Sequence, residues 1–184
     1  ALNRVSKAPF SCYFKLGNGH VISASPERFI KKDGTHVISQ PIKGTRRRST
    51  DKEEDARFKA ELFENQKERS ENVMIVDLVR NDLSRIAKKD SVKVDELFGV
   101  YTFDQVHHMI STISCELSEG KGLKDVFEAA FPMGSMTGAP KIRAMELIEK
   151  FEQTKRGLYS GAVGYISPEG DFDFNVVIRS MQYN

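Results

Sequence analysis

Apolar positions along this chain keep two rhythms. Near the N-terminus they alternate in strand fashion. Ser11-Cys12-Tyr13-Phe14-Lys15-Leu16 leads into the turn Gly17-Asn18-Gly19, and His20-Val21-Ile22-Ser23 follows. Lys32-Asp33-Gly34 marks a second turn. These signals predict an antiparallel meander over residues 8–40, closing with His36-Val37-Ile38-Ser39-Gln40. The rhythm changes at Thr50. Ser49-Thr50-Asp51 followed by Glu53 and Glu54 is a helix-start signal. Ala56, Phe58, Ala60, Leu62 and Phe63 keep a rough helical spacing. Beyond Glu68, Val73, Ile75, Val76, Leu78, Val79, Leu83 and Ile86 make a strongly apolar helix face. Residues 91–103 and 106–117 predict strands, and Leu123 to Phe131 a short helix. Gly138-Ala139-Pro140 opens another helix to about Phe151, with Pro140 near its first position. Residues 161–166 and 172–181 predict a hairpin across Ser167-Pro168-Glu169-Gly170. Strand runs interrupted by helices and joined by hairpins give an α+β class with large antiparallel sheets and outer helices.

Composition narrows the class. The 184 residues suffice for one sizeable core or for most of a larger domain. A net charge of +2 argues against a dedicated nucleic-acid binder and against a polybasic membrane anchor. No apolar run approaches the roughly 20 residues that span a bilayer. Cys12 and Cys115 lack metal-ligand spacing and read as free thiols of a reducing, cytoplasmic compartment. Both ends read as cut: the chain starts at Ala1 and stops at Asn184 directly after a strand pattern. A segment of one domain, truncated at both ends, is the expectation.

Several residues have side chains suited to catalysis. In Pro41-Ile42-Lys43-Gly44-Thr45 a lysine stands where a strand runs into a glycine. Glycine lets backbone approach a ligand, Thr45 can donate to an anion, and Lys43 is a nucleophile if it spends time as the neutral amine. Glu68 and Glu71 share one face of a helix start, as a hard divalent cation such as magnesium requires. By spacing alone a solvated helix face is the better reading. Glu27, in Ser25-Pro26-Glu27-Arg28, would serve as a general acid if its surroundings hold its proton; otherwise it is a turn residue paired with Arg28. His107 and His108 are strand neighbours and face opposite sides, so only one can enter a given site. Gly134 to Lys141 is small and flexible ahead of a helix, suited to an anion, or else an ordinary entry loop capped by Thr137. Arg179 offers a carboxylate-binding fork, or is a surface strand residue. Arg46-Arg47-Arg48 reads as a solvated loop.

Taken together the motifs are specific. Ser-Pro-Glu-Arg-Phe at 25–29, Pro-Ile-Lys-Gly-Thr-Arg at 41–46 and Ser-Glu-Asn-Val-Met-Ile-Val-Asp-Leu-Val-Arg-Asn-Asp-Leu at 70–83 occur in order. Val-His-His-Met-Ile-Ser at 106–111, Gly-Ser-Met-Thr-Gly-Ala-Pro-Lys-Ile-Arg-Ala-Met-Glu-Leu-Ile at 134–148 and Tyr-Ser-Gly-Ala-Val-Gly-Tyr at 159–165 follow. Over nearly its whole length the chain resembles the chorismate-utilising enzymes. Lysine in the 41–46 motif, where the anthranilate and isochorismate branches typically carry alanine, resembles the aminodeoxychorismate-forming branch that leads to 4-aminobenzoate and folate.

The resemblance implies roles. Lys43 would attack C2 of chorismate and expel the C4 hydroxyl, with ammonia then adding at C4. Glu27 would protonate the departing hydroxyl, and His108, rather than His107, would be the active-site histidine. Gly44, Thr45, Ser135, Tyr159 and Arg179 would hold the ring carboxylate or the enolpyruvyl group. Glu71 would be a Mg2+ ligand, with Glu68 its water-mediated companion. The ammonia would come from glutamine through an amidotransferase subunit or domain. The family has further magnesium-binding glutamates beyond this stretch, so the isolated chain is expected to bind the metal weakly and to be inactive. An anthranilate-forming enzyme with an unusual lysine is the rival reading, and a non-catalytic binding module the alternative of another class.

Overall fold

The computed structural model describes Arg4 and residues 6–183; Ala1 and Asn184, the two ends weighed above, lie outside the described residues. The strands are β1 Phe10–Leu16, β2 Gly19–Ser25, β3 Arg28–Asp33, β4 His36–Gln40, β5 Ile42–Arg47, β6 Lys93–Thr102, β7 Val106–Glu116, β8 Ala162–Ile166, β9 Phe172–Val176 and β10 Ser180–Tyr183. The helices are α1 Lys52–Glu64, α2 Gln66–Ser84, α3 Leu123–Ala130 and α4 Lys141–Phe151.

The N-terminal strands do not form a single meander. β1, β2 and β10 make a small antiparallel sheet, and β3 to β9 make a large one. In the large sheet β7 is the spine. β6 runs along one edge of it, pairing from His107 to Ser114. β4 and β5 therefore share the opposite edge, at 113–116 and 106–110. They are one line of chain broken at Pro41, which has no N–H to give to a ladder. Its carbonyl still accepts from Ser111 N at 3.3 Å.

Two segments pass between the sheets, and they pass side by side. β2 leads to β3 through Pro26-Glu27, and β9 leads to β10 through Val177 to Arg179. Ala24 N donates to Arg179 O, and Val176 N donates to Glu27 O, each at 3.1 Å. Ser23 faces Ser180 in the small sheet and Arg28 faces Asn175 in the large one, so the pairing keeps its register across the gap. The strand predicted over 172–181 is thus two strands of one bent ribbon. Arg179 lies at the bend with φ +51, not within a strand.

The helices lie outside, as the sequence predicts. Asp51 accepts from Glu54 N at 2.8 Å and starts α1 slightly later than Thr50. Asn65 separates α1 from α2 and caps the latter by accepting from Glu68 N at 3.1 Å. The apolar face of α2 buries Ile75, Val76, Val79 and Leu83 among Phe29, Ile30, Val37 and Ile113 of the large sheet. Each such side chain is worth about 1.5–3 kcal/mol of burial. α3 adds Val126, Ala129 and Ala130 to the same cluster. α4 buries no residue, and Pro140 is its cap rather than its first residue. The strand predicted over 91–103 is bulged: register slips on both sides of Glu96, and Phe98 has φ +62. No described helix is long and apolar enough to cross a membrane.

Candidate active site

The site is built around a bulge in β5. Register against β7 slips between Ile42 and Thr45, and Gly44 has φ +97. An extra residue of this kind bends the strand and re-aims a side chain. Lys43 therefore sits inside a strand, where sequence reading puts it at a strand end. A Cβ on Gly44 would lie 3.0 Å from Leu62 Cδ1 and 3.4 Å from Glu68 Cβ. Backbone angle and crowding both call for glycine, and they bring the bulge against the start of α2.

Glu27 stands on the crossover between the sheets and is only 5% exposed. Its carboxylate accepts hydrogen bonds from the Ser135 side chain and the Ile42 N–H, and the Lys43 charge reaches it. Burial outweighs all of these and pushes its pKa up to about 7. Arg28, the turn partner weighed from sequence, points elsewhere. Its Nε and Nη2 donate to Asp173 at 2.9 Å and its Nη1 to Gln40 at 2.5 Å. The Lys43 charge reaches Glu27 because β3 and the β4–β5 line are neighbours.

His108, buried on β7, faces the bulge. Its Nδ1 hydrogen-bonds Thr45 Oγ1 at 2.9 Å, and the Gly44 backbone also meets the ring. Burial, then the Arg179 charge, hold its pKa down at about 4. The ring is neutral at pH 7, able to accept or relay a proton. Arg179 and His108 line one cavity of ≈ 90 Å³ with Ala24, Pro26 and Phe103. His107 faces the other side, with Nε2 3.0 Å from Asp55 Oδ1 and Nδ1 3.0 Å from Thr102 Oγ1.

Glu68 and Glu71 occupy the first turns of α2, where the helix dipole favours negative charge. Glu71 stands in the open enough that Lys67 approaches it at 4.0 Å. Two carboxylates one turn apart fit part of the hard oxygen shell that magnesium prefers. Among the described residues no third His, Cys, Asp or Glu joins them in a metal-sized group.

The remaining expectations divide. Ser135, in the 3-10 turn Gly134–Met136, reaches Glu27. Thr137 does not cap α4; its hydroxyl donates to Met133 O at 3.1 Å. Tyr159 stands apart, with Arg156 5.8 Å over its ring, on a groove shared with Phe131, Pro132 and Met145. Arg46 and Arg47 end β5 rather than forming a loop, and Arg48 donates to Asp55 at 2.8 Å. Sequence reading missed Asn72, Ser111 and the pairing of Asp82 with Lys141. Ser111 Oγ donates to the buried Asn72 Oδ1 at 2.6 Å and accepts from Phe98 N at 3.1 Å, pinning α2 to the β6 bulge. Asn72 and Asp82 are polar residues in an otherwise apolar helix stripe, and that was the available signal.

A family model for chorismate binding enzymes matches residues 1–184. Aminodeoxychorismate synthase component 1 of Escherichia coli K12 is 47% identical over 98% of this chain and 40% of that protein. Anthranilate synthase component 1 of Streptomyces coelicolor is 44% identical over 98% of this chain and 35% of that one. The crystal structure of anthranilate synthase component I from Streptococcus pneumoniae TIGR4 superposes with a TM-score of 0.88 at 35% identity, over 98% of this chain and 40% of that one. The chain thus spans about two fifths of the length of these relatives. With the family match running from end to end, this chain belongs to the chorismate binding enzyme family.

Proposed function

We propose that this chain is the catalytic core of an aminodeoxychorismate synthase component I, a cytoplasmic enzyme that turns chorismate and ammonia into 4-amino-4-deoxychorismate for 4-aminobenzoate and folate. The observation that carries the reading is Lys43 in the β5 bulge, its charge within reach of a buried Glu27 whose pKa is raised to about 7. A protonated Glu27 gives Lys43 no counter-charge and has a proton to donate. Lys43 Nζ attacks C2 of chorismate, the ring double bonds shift, and the C4 hydroxyl leaves as water with the proton of Glu27. Ammonia adds at C4, the double bonds shift back, and the C2–N bond to Lys43 breaks. His108 and Thr45 line the substrate side of the bulge, and Arg179 neutralises one of the two carboxylates. Glu71, with Glu68 beside it, would hold Mg2+, which supplies counter-charge to the other. Ammonia comes from a glutamine amidotransferase partner.

The test is ammonia-dependent turnover of the full-length protein and its Lys43→Ala variant. Loss of a covalent nucleophile costs on the order of 10³-fold or more. The product should keep its enolpyruvyl group. Near-normal turnover by Lys43→Ala would remove the lysine from the reaction. Anthranilate with released pyruvate would replace the reading by that of the anthranilate-forming relatives.

A further inference from the structure

The Gly134–Lys141 run has a feature that the reaction above does not use. Lys141 opens α4, and its ammonium lies 2.5 Å from Asp82 Oδ2 on α2. It also donates to the Ala130 carbonyl at the end of α3, at 3.0 Å. The two charged side chains are only 14% and 5% exposed. The other end of the run is held to the same helix one turn earlier. A Cβ on Gly134 would lie 2.7 Å from Leu78 Cδ2, so the backbone there rests flush on α2. Leu78 and Asp82 are four residues apart and share a helix face. The loop is thus fixed to α2 at two points, and Ser135, the residue that reaches Glu27, lies between them. Glu27, Ser135, Met133 and Asp82 line one small cavity beneath the loop.

A buried ion pair is a poor source of net stability. Desolvation offsets most of the attraction, and an apolar pair of similar volume often holds a fold as well. What the pair does supply is a fixed geometry. We propose that Asp82 and Lys141 are positioning residues for the site: their ion pair locks the Gly134–Lys141 loop onto α2 and so keeps the Ser135 hydroxyl on the carboxyl of Glu27. The proposal rests on Glu27 being the acid of the reading above.

Removing one partner alone would strand a buried charge and unfold the region, so the informative variant replaces both. In the full-length protein, Asp82→Leu with Lys141→Met should keep the melting temperature and leave the chorismate KM within about threefold. The kcat should fall about 10–100-fold, the scale on which a slight misplacement of a catalytic group acts. Adding Ser135→Ala to that pair should cost nothing more, since both changes break one contact. Multiplying losses would show that the pair does not act through Ser135, and an unchanged kcat in the apolar pair would show that it positions nothing; either overturns the proposal. Should the apolar pair fail to fold, Lys141→Arg keeps the charge, shifts the donors and allows the same cycle with Ser135→Ala. Failure of the parent reading shows elsewhere. Anthranilate as the product would change the reaction but leave the cycle readable in its kcat, whereas normal turnover by Glu27→Gln would remove both the acid and its positioning pair.

Discussion

Glu27 and Glu68 both lie close to the Lys43-Gly44 bulge, and the fold surrounds them in opposite ways. Glu27 is enclosed at the crossover between two sheets, met by Ser135 and the Ile42 N–H. Glu68 stands half-buried in the first turn of α2, with Glu71, also half-buried, one turn further. One environment raises a carboxyl's pKa to about 7. The other sets two carboxyl groups one turn apart at the positive end of a helix. On the proposed reading the same side chain serves two chemistries, and packing decides which.

The sharpest way to break this contrast is Glu27→Gln in the full-length protein. The amide fills the same space but has no acidic proton to give. Turnover should fall by about 10²–10⁴-fold, the usual worth of a positioned acid, with chorismate binding retained. Normal turnover would show that the buried end is only structural.

Stability against pH sharpens the contrast next. The folded-state pKa of Glu27 is raised to about 7 from 4.5. The folded state therefore holds a proton that the unfolded state releases. Its contribution is complete below about pH 4.5 and is lost as pH rises through 7, by on the order of 3 kcal/mol. His108 acts with the other sign. Its pKa is lowered to about 4 from 6.5, so its contribution is present above 6.5 and is lost as pH falls through 4. Between about pH 4.5 and 6.5 the two slopes oppose and largely cancel. Urea unfolding from pH 4 to 8.5 should therefore show Glu27→Gln uncovering a rise in stability with pH over that window, the His108 contribution alone. A profile unchanged by Glu27→Gln would mean that Glu27 is not enclosed as described.

The smallest expected effect is at the open end. Glu71→Gln should weaken magnesium binding, read by calorimetry, by at least the roughly 10–100-fold that a ligand's supporting partner is worth. Glu68→Gln, acting through water, should cost less. Equal and negligible effects would leave the pair a solvated helix face.

Much of this arrangement was legible before any coordinates. The α2 stripe from Ile75 to Leu83 and the turn at Lys32-Asp33-Gly34 follow from periodicity and turn chemistry, and the structure has both. Local pattern failed where long-range pairing decides. Alternation from Ser11 to Gln40 says strand four times over but is silent on which sheet each joins, so the chain crosses between sheets at Glu27 where one meander was expected. Arg179 takes a left-handed backbone because the ribbon must bend there, and nothing in Val177-Ile178-Arg179 announces it. The convergence of Glu27 with Lys43 needed the β4–β5 line along β7, which is a matter of register. The Lys141–Asp82 contact spans 59 positions and joins two helices, beyond the reach of any local signal.

The bent ribbon has a consequence for how this site tolerates change. Glu27 and Arg179 lie at the bend, where the ribbon's two lines of chain are tied by two main-chain hydrogen bonds, Ala24 N to Arg179 O and Val176 N to Glu27 O, with the Ser23 hydroxyl on Ile178 O beside them. Neither main-chain tie depends on the identity of a side chain. The separation of the Glu27 and Arg179 backbones is therefore written into the main chain, like the gap of a fixed caliper. Sequence drift on the outer faces of either sheet leaves that gap alone. A proline at Ala24 or Val176, which would delete one of the two amide donors, is the change that would spring it.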